Sequence, residues 1–110
     1  MFEFLFGNKN TEKILIYLYF HEKTFGAELS RTFNSWLDPI QKTLKKLEDG
    51  GLLVIFLEEK TRIYRWNPLY PFVDDLRSLE KKAYDFLPPK EQLMYQLTKR
   101  KRPRKQGKPL

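Results

Sequence analysis

A chain of 110 residues accommodates one compact domain with a modest core and leaves no room for a deep enzymatic cleft beside it. Nine Phe, six Tyr and two Trp in a chain that is 41% hydrophobic indicate a folded protein, and the lack of cysteine excludes disulfides, thiolate metal sites and cysteine nucleophiles. The formal net charge is +7, but Lys99, Arg100, Lys101, Arg102, Arg104, Lys105 and Lys108 crowd the C-terminus, which leaves 14 basic against 14 acidic residues in 1–98. The body is formally neutral, so electrostatic attraction to a partner belongs to the tail. The single histidine, His21, cannot build a zinc site alone. No uninterrupted apolar run is long enough to span a bilayer, and the start "MFEFLFGNKN" lacks the basic opening and cleavage pattern of a signal peptide. The expectation is a soluble protein of the cytoplasm, at the nucleoid in a prokaryote. It has no catalytic residue, cofactor or metal, because no nucleophile–base pair, metal constellation or phosphate-binding glycine loop is present.

Asn10 and Thr11 are helix-starting residues, and Glu12 suits the positive end of a helix dipole. The run "ILIYLYF" has the composition of a buried strand, but its flanks predict a short helix from Thr11 to about Glu22. Such a helix is apolar nearly all round, so one face meets the core and another a second surface. A partner subunit is one candidate for that surface, with Ile16 and Tyr19 as its contacts. His21 falls at the end of this helix, where a cation suits the dipole.

In "TFGAELSRTF", Phe25, Leu29 and Phe33 recur every four residues, which predicts a second short helix between Gly26 and Asn34-Ser35. After the turn "NSWL", the stretch "DPIQKTLKKLEDGGLL" predicts a third. Asp38 is its expected N-cap, Pro39 fits the first helical position, and Gln41 completes a capping-box-like pattern. Ile40, Leu44 and Leu47 form the inward stripe, which leaves Gln41, Lys42, Lys45 and Lys46 outside it. Gly50-Gly51 supplies the left-handed stop. Three positive and three negative charges between Asp38 and Asp49 keep this helix from being strongly basic. By spacing alone, its lysines fit a solvated surface helix equally well.

"LLVIFL" reads as a buried strand, "EEKT" as a turn, and "RIYRW" as an alternating strand with Tyr64 and Trp66 on one side and Ile63 on the other. Beyond Pro68 and Pro71 a longer helix from Phe72 to about Phe86 is predicted. Its residues Phe72, Leu76, Leu79, Ala83 and Phe86 step by four, three, four and three, close to a heptad seam. This seam packs either between subunits or within the chain. Pro88-Pro89 breaks the helix, and "KEQLMYQL" predicts one more short helical segment. The remainder, "TKRKRPRKQGKPL", has no apolar periodicity and is expected to be disordered when free. The organisation is thus a core at 1–68, a helical extension at 69–98 and a basic tail at 99–110.

Three helices followed by a hairpin is the order of a winged helix-turn-helix. From Phe6 to Tyr84 the chain resembles the winged helix-turn-helix transcription regulators of the ArsR/MarR-like superfamily. The resemblance is carried by "TEKILIYLYF", "FGAELSRTF", "PIQKTLKKLEDGGLL" and "KTRIYRWNPLYP", with Leu44, Leu47, Gly51 and Leu52 at the family's usual spacing. It implies a mainly α fold with a small β-hairpin (α+β), a third helix docked in the DNA major groove, and a homodimer on a two-fold-related site. Gln41, Lys42 and Lys45 map onto the recognition surface, with Asp38 near the helix start and Lys46 beside them; Lys60, Thr61 and Arg62 map onto the wing. Two departures stand out. The Cys or His clusters of the metal-sensing members are missing, and the wing tip begins with Glu58-Glu59 where DNA-binding members are usually basic.

Gln41 is chemically apt for a bidentate contact to adenine, and lysine for the acceptors of guanine. In the tail, Lys99, Arg100, Lys101, Arg102, Arg104 and Lys105 can neutralise phosphates and release counterions. The same run also fits a nuclear-import address, an acidic partner or a membrane surface. No aromatic residue interleaves with it, which disfavours a single-strand stacking platform. Double-stranded DNA is therefore the expected partner of a dimeric regulator with no metal and no membrane. A winged-helix protein-interaction module is the alternative suggested by the neutral body and acidic hairpin tip. A tail-driven, non-specific nucleic-acid binder is the other.

Overall fold

The computed structural model of the chain describes residues 6–96. In order these form helix α1 (Lys9–His21), strand β1 (Lys23–Thr24), helix α2 (Gly26–Phe33), helix α3 (Leu37–Asp49), strands β2 (Leu53–Glu58) and β3 (Thr61–Trp66), and helix α4 (Val73–Asp85). A last helical segment covers 89–96. The fold is mainly helical with one small antiparallel sheet, the α+β arrangement that the sequence predicts. The sheet has one strand more than expected. β1 pairs with β3 through Lys23↔Arg65 and Thr24↔Tyr64, which gives the order β1-β3-β2. Two residues are too few to show alternation, so nothing in the sequence announces β1.

α1 starts earlier than Asn10 and Thr11 suggest, because Asn8 is its N-cap. The Asn8 side-chain oxygen accepts the Thr11 N–H at 2.8 Å and the Thr11 hydroxyl at 3.1 Å. Ile14, Leu15, Ile16, Tyr17 and Leu18 are each at most 1% exposed. A helix buries every face only when neighbours surround it. Here α4, α3 and β1 pack against α1, and Tyr95 of the last segment approaches Tyr17, with ring centroids 6.5 Å apart. The second surface that α1 needs is supplied by the chain's own C-terminal part. Ile16, assigned to a subunit contact, is instead 1% exposed in this core, whereas Tyr19 packs against it and stays partly open.

β2 also departs from its expected burial. It runs along the edge of the sheet, with Leu53 1% exposed but Val54 38% and Leu57 67% exposed. An edge strand rich in β-formers and a fully buried strand look alike in composition. β3 follows the expected sides. The pairs Leu53↔Trp66 and Ile55↔Tyr64 put four apolar side chains on the inner face, and Ile63 lies opposite Phe56 on the other.

The seam on α4 is rotated from the expected one. Val73, Glu80, Ala83 and Tyr84 are buried, and Leu76 and Leu87 pack partly against them. The inward stripe Val73, Leu76, Glu80, Ala83 and Leu87 steps by three, four, three and four. A carboxylate in the middle conceals it from any reading by apolar residues alone. Ala83 accordingly belongs to the chain's own core at 1% exposure, while Phe72 and Phe86 are 60% and 77% exposed.

Glu80 is fully enclosed, and neither of its carboxylate oxygens has a hydrogen-bond partner. Burial, reinforced by the nearby Glu12, pushes its pKa up to about 8. The fold favours the protonated form, so the stabilisation is complete below the ordinary carboxylate pKa and is lost as pH rises towards 8. The thermal midpoint of the chain is expected to fall by roughly 10 °C between about pH 5 and about pH 8. Glu80→Gln should flatten most of that slope in scanning calorimetry. An equally steep fall in the variant contradicts this role for Glu80.

Candidate nucleic-acid interface

α3 begins at Leu37 behind Trp36, and no side chain caps its first turn. Asp38 is therefore not the N-cap. It sits exposed within the first turn, where its charge still suits the dipole. Pro39 moves into that turn with it, at a position where a missing N–H leaves no intrahelical bond unmade. The Thr43 hydroxyl donates to the Pro39 carbonyl at 3.0 Å. Ile40 and Leu44 are 1% and 0% exposed on the inner side. Gln41, Lys42, Lys45 and Lys46 lie exposed on the outer side, as their spacing predicts, and Asp38 is exposed with them.

Backbone hydrogen bonds hold the turn that leads into α3 and the far end of the helix. At the start, α2 ends with Asn34 in the left-handed region (φ +50°), and the Ser35 N–H donates to the Ser30 carbonyl at 3.0 Å. At the far end, the Leu52 N–H donates to the Leu47 carbonyl at 3.1 Å and the Gly51 N–H to the Glu48 carbonyl at 3.0 Å. Gly51 has a φ of +88°, which suits a residue without Cβ. The Asn67 side-chain amide donates to the Gly51 carbonyl at 2.8 Å, and the Asn67 N–H donates to the Leu52 carbonyl at 2.8 Å. These bonds set the angle between α3 and the hairpin. α2 and α3 also approach closely, since a Cβ on Gly26 would come within 3.3 Å of Gln41 Cγ and Leu37 Cδ1.

β2 and β3 are joined by Glu59 and Lys60, with φ of +49° and +74°. A two-residue turn with both φ values positive matches the twist of the flanking strands, but it normally takes Asn or Gly. Lys60, Thr61 and Arg62 are exposed. A groove of about 540 Å³ brings Gln41 and Lys45 of α3 together with Lys60, Thr61 and Arg62 of the hairpin. Asp38, Lys42 and Lys46 stand outside its lining. A larger hollow of about 620 Å³ lies elsewhere, between the sheet and the first half of α4, and includes Trp66 and Arg77.

The charges around the groove are partly compensated. Lys23, delivered by β1, meets Glu58 at 3.1 Å and offsets one of the two acids at the hairpin tip. Lys45 meets Asp49 at 3.4 Å, an exposed pair that contributes little to stability. Lys42, Lys46, Lys60 and Arg62 enter no ion pair among the described residues.

Two residues near the groove have no role in the sequence reading. Lys23 was invisible because β1 was. Trp36, read only as part of a turn, stands 84% exposed at the start of α3, beside Leu37 at 37%. The one available signal is an aromatic residue in the turn between two predicted helices, off the Ile40, Leu44 and Leu47 stripe. Tail residues Lys99, Arg100, Lys101, Arg102, Arg104 and Lys105 lie outside the described residues. Among the described residues no group of three His, Asp or Glu side chains is placed to hold a metal ion, and no helix is long and apolar enough to cross a membrane. Comparison with protein-family models, with curated proteins and with solved structures finds no match to this chain.

The positive φ values at Glu59 and Lys60 carry a measurable cost. Glu59→Asn combined with Lys60→Gly should stabilise the chain by about 1 kcal/mol, because Asn tolerates the left-handed region and Gly, without a Cβ, adopts it freely. Chemical denaturation of the two proteins measures this directly, and a loss of stability contradicts the turn geometry.

Proposed function

We propose that the chain is a sequence-specific, double-stranded DNA-binding transcription regulator that acts as a dimer. The observation that carries this reading is the groove shared by Gln41 and Lys45 with Lys60, Thr61 and Arg62. The element order helix–strand–helix–helix–strand–strand is compatible with a winged helix-turn-helix of the ArsR/MarR-like, non-metal-sensing kind. In that reading α2 and α3 form the helix-turn-helix and the β2–β3 turn is the wing.

The chemistry of each part follows from its side chains. α3 enters the major groove with Gln41 towards an adenine edge and Lys42 or Lys45 towards guanine acceptors. Lys46 and the wing residues Lys60 and Arg62 contact phosphates, which position the helix but carry no sequence information. Lys23 beside Glu58 lowers the repulsion that the acidic tip would otherwise exert on the backbone. The tail cations add salt-dependent, sequence-independent affinity.

A second reading has its own observation. Trp36 and Leu37 form an exposed apolar tip at the start of α3, and such a tip suits a winged helix that binds protein. One experiment separates the readings, namely selection from a randomised duplex library with the full chain and with residues 1–98, at two salt concentrations. The DNA reading expects both forms to enrich the same palindromic motif. The shorter form should have a smaller log–log salt slope, by up to about 6 if all seven tail cations touch phosphate. Gln41→Ala should then cost roughly tenfold or more in affinity for the motif and relax the preference at one base position. Enrichment of nothing by residues 1–98 would sink the recognition role of α3 and favour the protein-binding tip.

A further inference from the structure

The groove between α3 and the hairpin changes character along the helix. Leu37, Gln41 and Lys45 all line it and step by four, so they form one row on α3. The row passes from a hydrocarbon through an amide to a cation. Leu37 is 37% exposed, and Ala27 at the start of α2, also exposed, lines the groove with it. The polar members of the row already have a part in the proposed function, and its apolar member has none.

Gly26 explains why Leu37 and Gln41 lie together. Its φ is not positive, so no turn requires a glycine there. A Cβ at this position would come within 3.3 Å of both Leu37 Cδ1 and Gln41 Cγ, and within 3.6 Å of Gln41 Nε2. The bare backbone at the start of α2 is therefore a seat on which both side chains rest. It sets the Gln41 amide beside a leucine methyl.

One feature of duplex DNA matches a hydrocarbon in that place. The base edges in the major groove are hydrogen-bond donors and acceptors, apart from the C5 methyl of thymine. A donor or acceptor pressed against Leu37 would lose its water and gain no partner, which costs affinity. A methyl there gains by leaving water. We propose that Leu37 is a specificity residue that contacts the C5 methyl of a thymine, next to the adenine read by Gln41. Side chains four apart on a helix are roughly 5–6 Å from each other, and base pairs stack about 3.4 Å apart, so the two contacts fall within about two base pairs. Leu37 attracts thymine and also rejects the other bases. Trp36, although 84% exposed, is outside the lining of the groove and takes no part. This contact rests on the proposed function and adds to it a named base that the polar side chains do not select.

The test starts from the duplex motif enriched by the full chain. Each thymine in it is replaced singly by deoxyuridine, which removes the C5 methyl and keeps the base pair. One replacement, within about two base pairs of the position that Gln41→Ala relaxes, should weaken binding by the wild-type chain roughly fourfold. The same replacement should leave the affinity of Leu37→Ala and of Leu37→Gln unchanged, while Trp36→Ala should keep the full methyl dependence. Melting curves check that each variant is folded. Wild-type binding that is indifferent to every thymine methyl, or a methyl dependence that survives in both Leu37 variants, overturns the contact and leaves the DNA reading standing. If no motif is enriched at all, the DNA reading fails and this contact fails with it.

Discussion

The structure depends on the burial of α1 on every side. Five consecutive residues, Ile14 to Leu18, have essentially no exposed surface, and each such apolar side chain removed from water contributes about 1.5–3 kcal/mol. A helix in that state cannot exist alone. It requires α3 and β1 against it, and it requires α4 and the segment at 89–96 to fold back over it. The orientation of α3 follows, because Ile40 and Leu44 must point into the same cluster. Their burial leaves Gln41, Lys42, Lys45 and Lys46 facing water.

The polar groups near this core explain other features. Glu80 occupies the central inward position of α4 and makes no hydrogen bond there. An unpaired buried carboxyl is tolerated in its neutral form, which ties the packing of α4 to protonation. Away from the core, the exposed face of α3 gains definition from the backbone hydrogen bonds that close α2 before it and end α3 itself, and from Asn67, which joins it to the hairpin exit. Under the proposed function, a neutral body with a few directional side chains supplies specificity and the cationic tail supplies affinity.

Much of this was legible in the sequence, and the parts that were not share a physical cause. Phe25, Leu29 and Phe33 announced α2, Ile40, Leu44 and Leu47 oriented α3, and Gly50-Gly51 marked its end, because these signals are local. The burial of Ile16 was not legible, since only the fold-back of residues far along the chain decides whether a partner or the chain itself covers α1. The α4 stripe was misphased because Glu80 interrupts it. Asp38 looked like a cap, yet the helix begins one residue before it at Leu37. The outward group of α3 was readable from its period, but its meeting with Lys60, Thr61 and Arg62 in one groove depends on the hairpin's position in three dimensions.

The central claim is that the outer face of α3 and the hairpin turn contact duplex DNA together. Backbone amide NMR of the full chain, titrated with an enriched duplex at moderate salt, tests it most directly. The account predicts shifts concentrated on Gln41, Lys42 and Lys45 and on Lys60 to Arg62, with the amides of Ile14 to Leu18 unmoved. Shifts confined to the residues from Lys99 onward, with α3 unaffected, would contradict it.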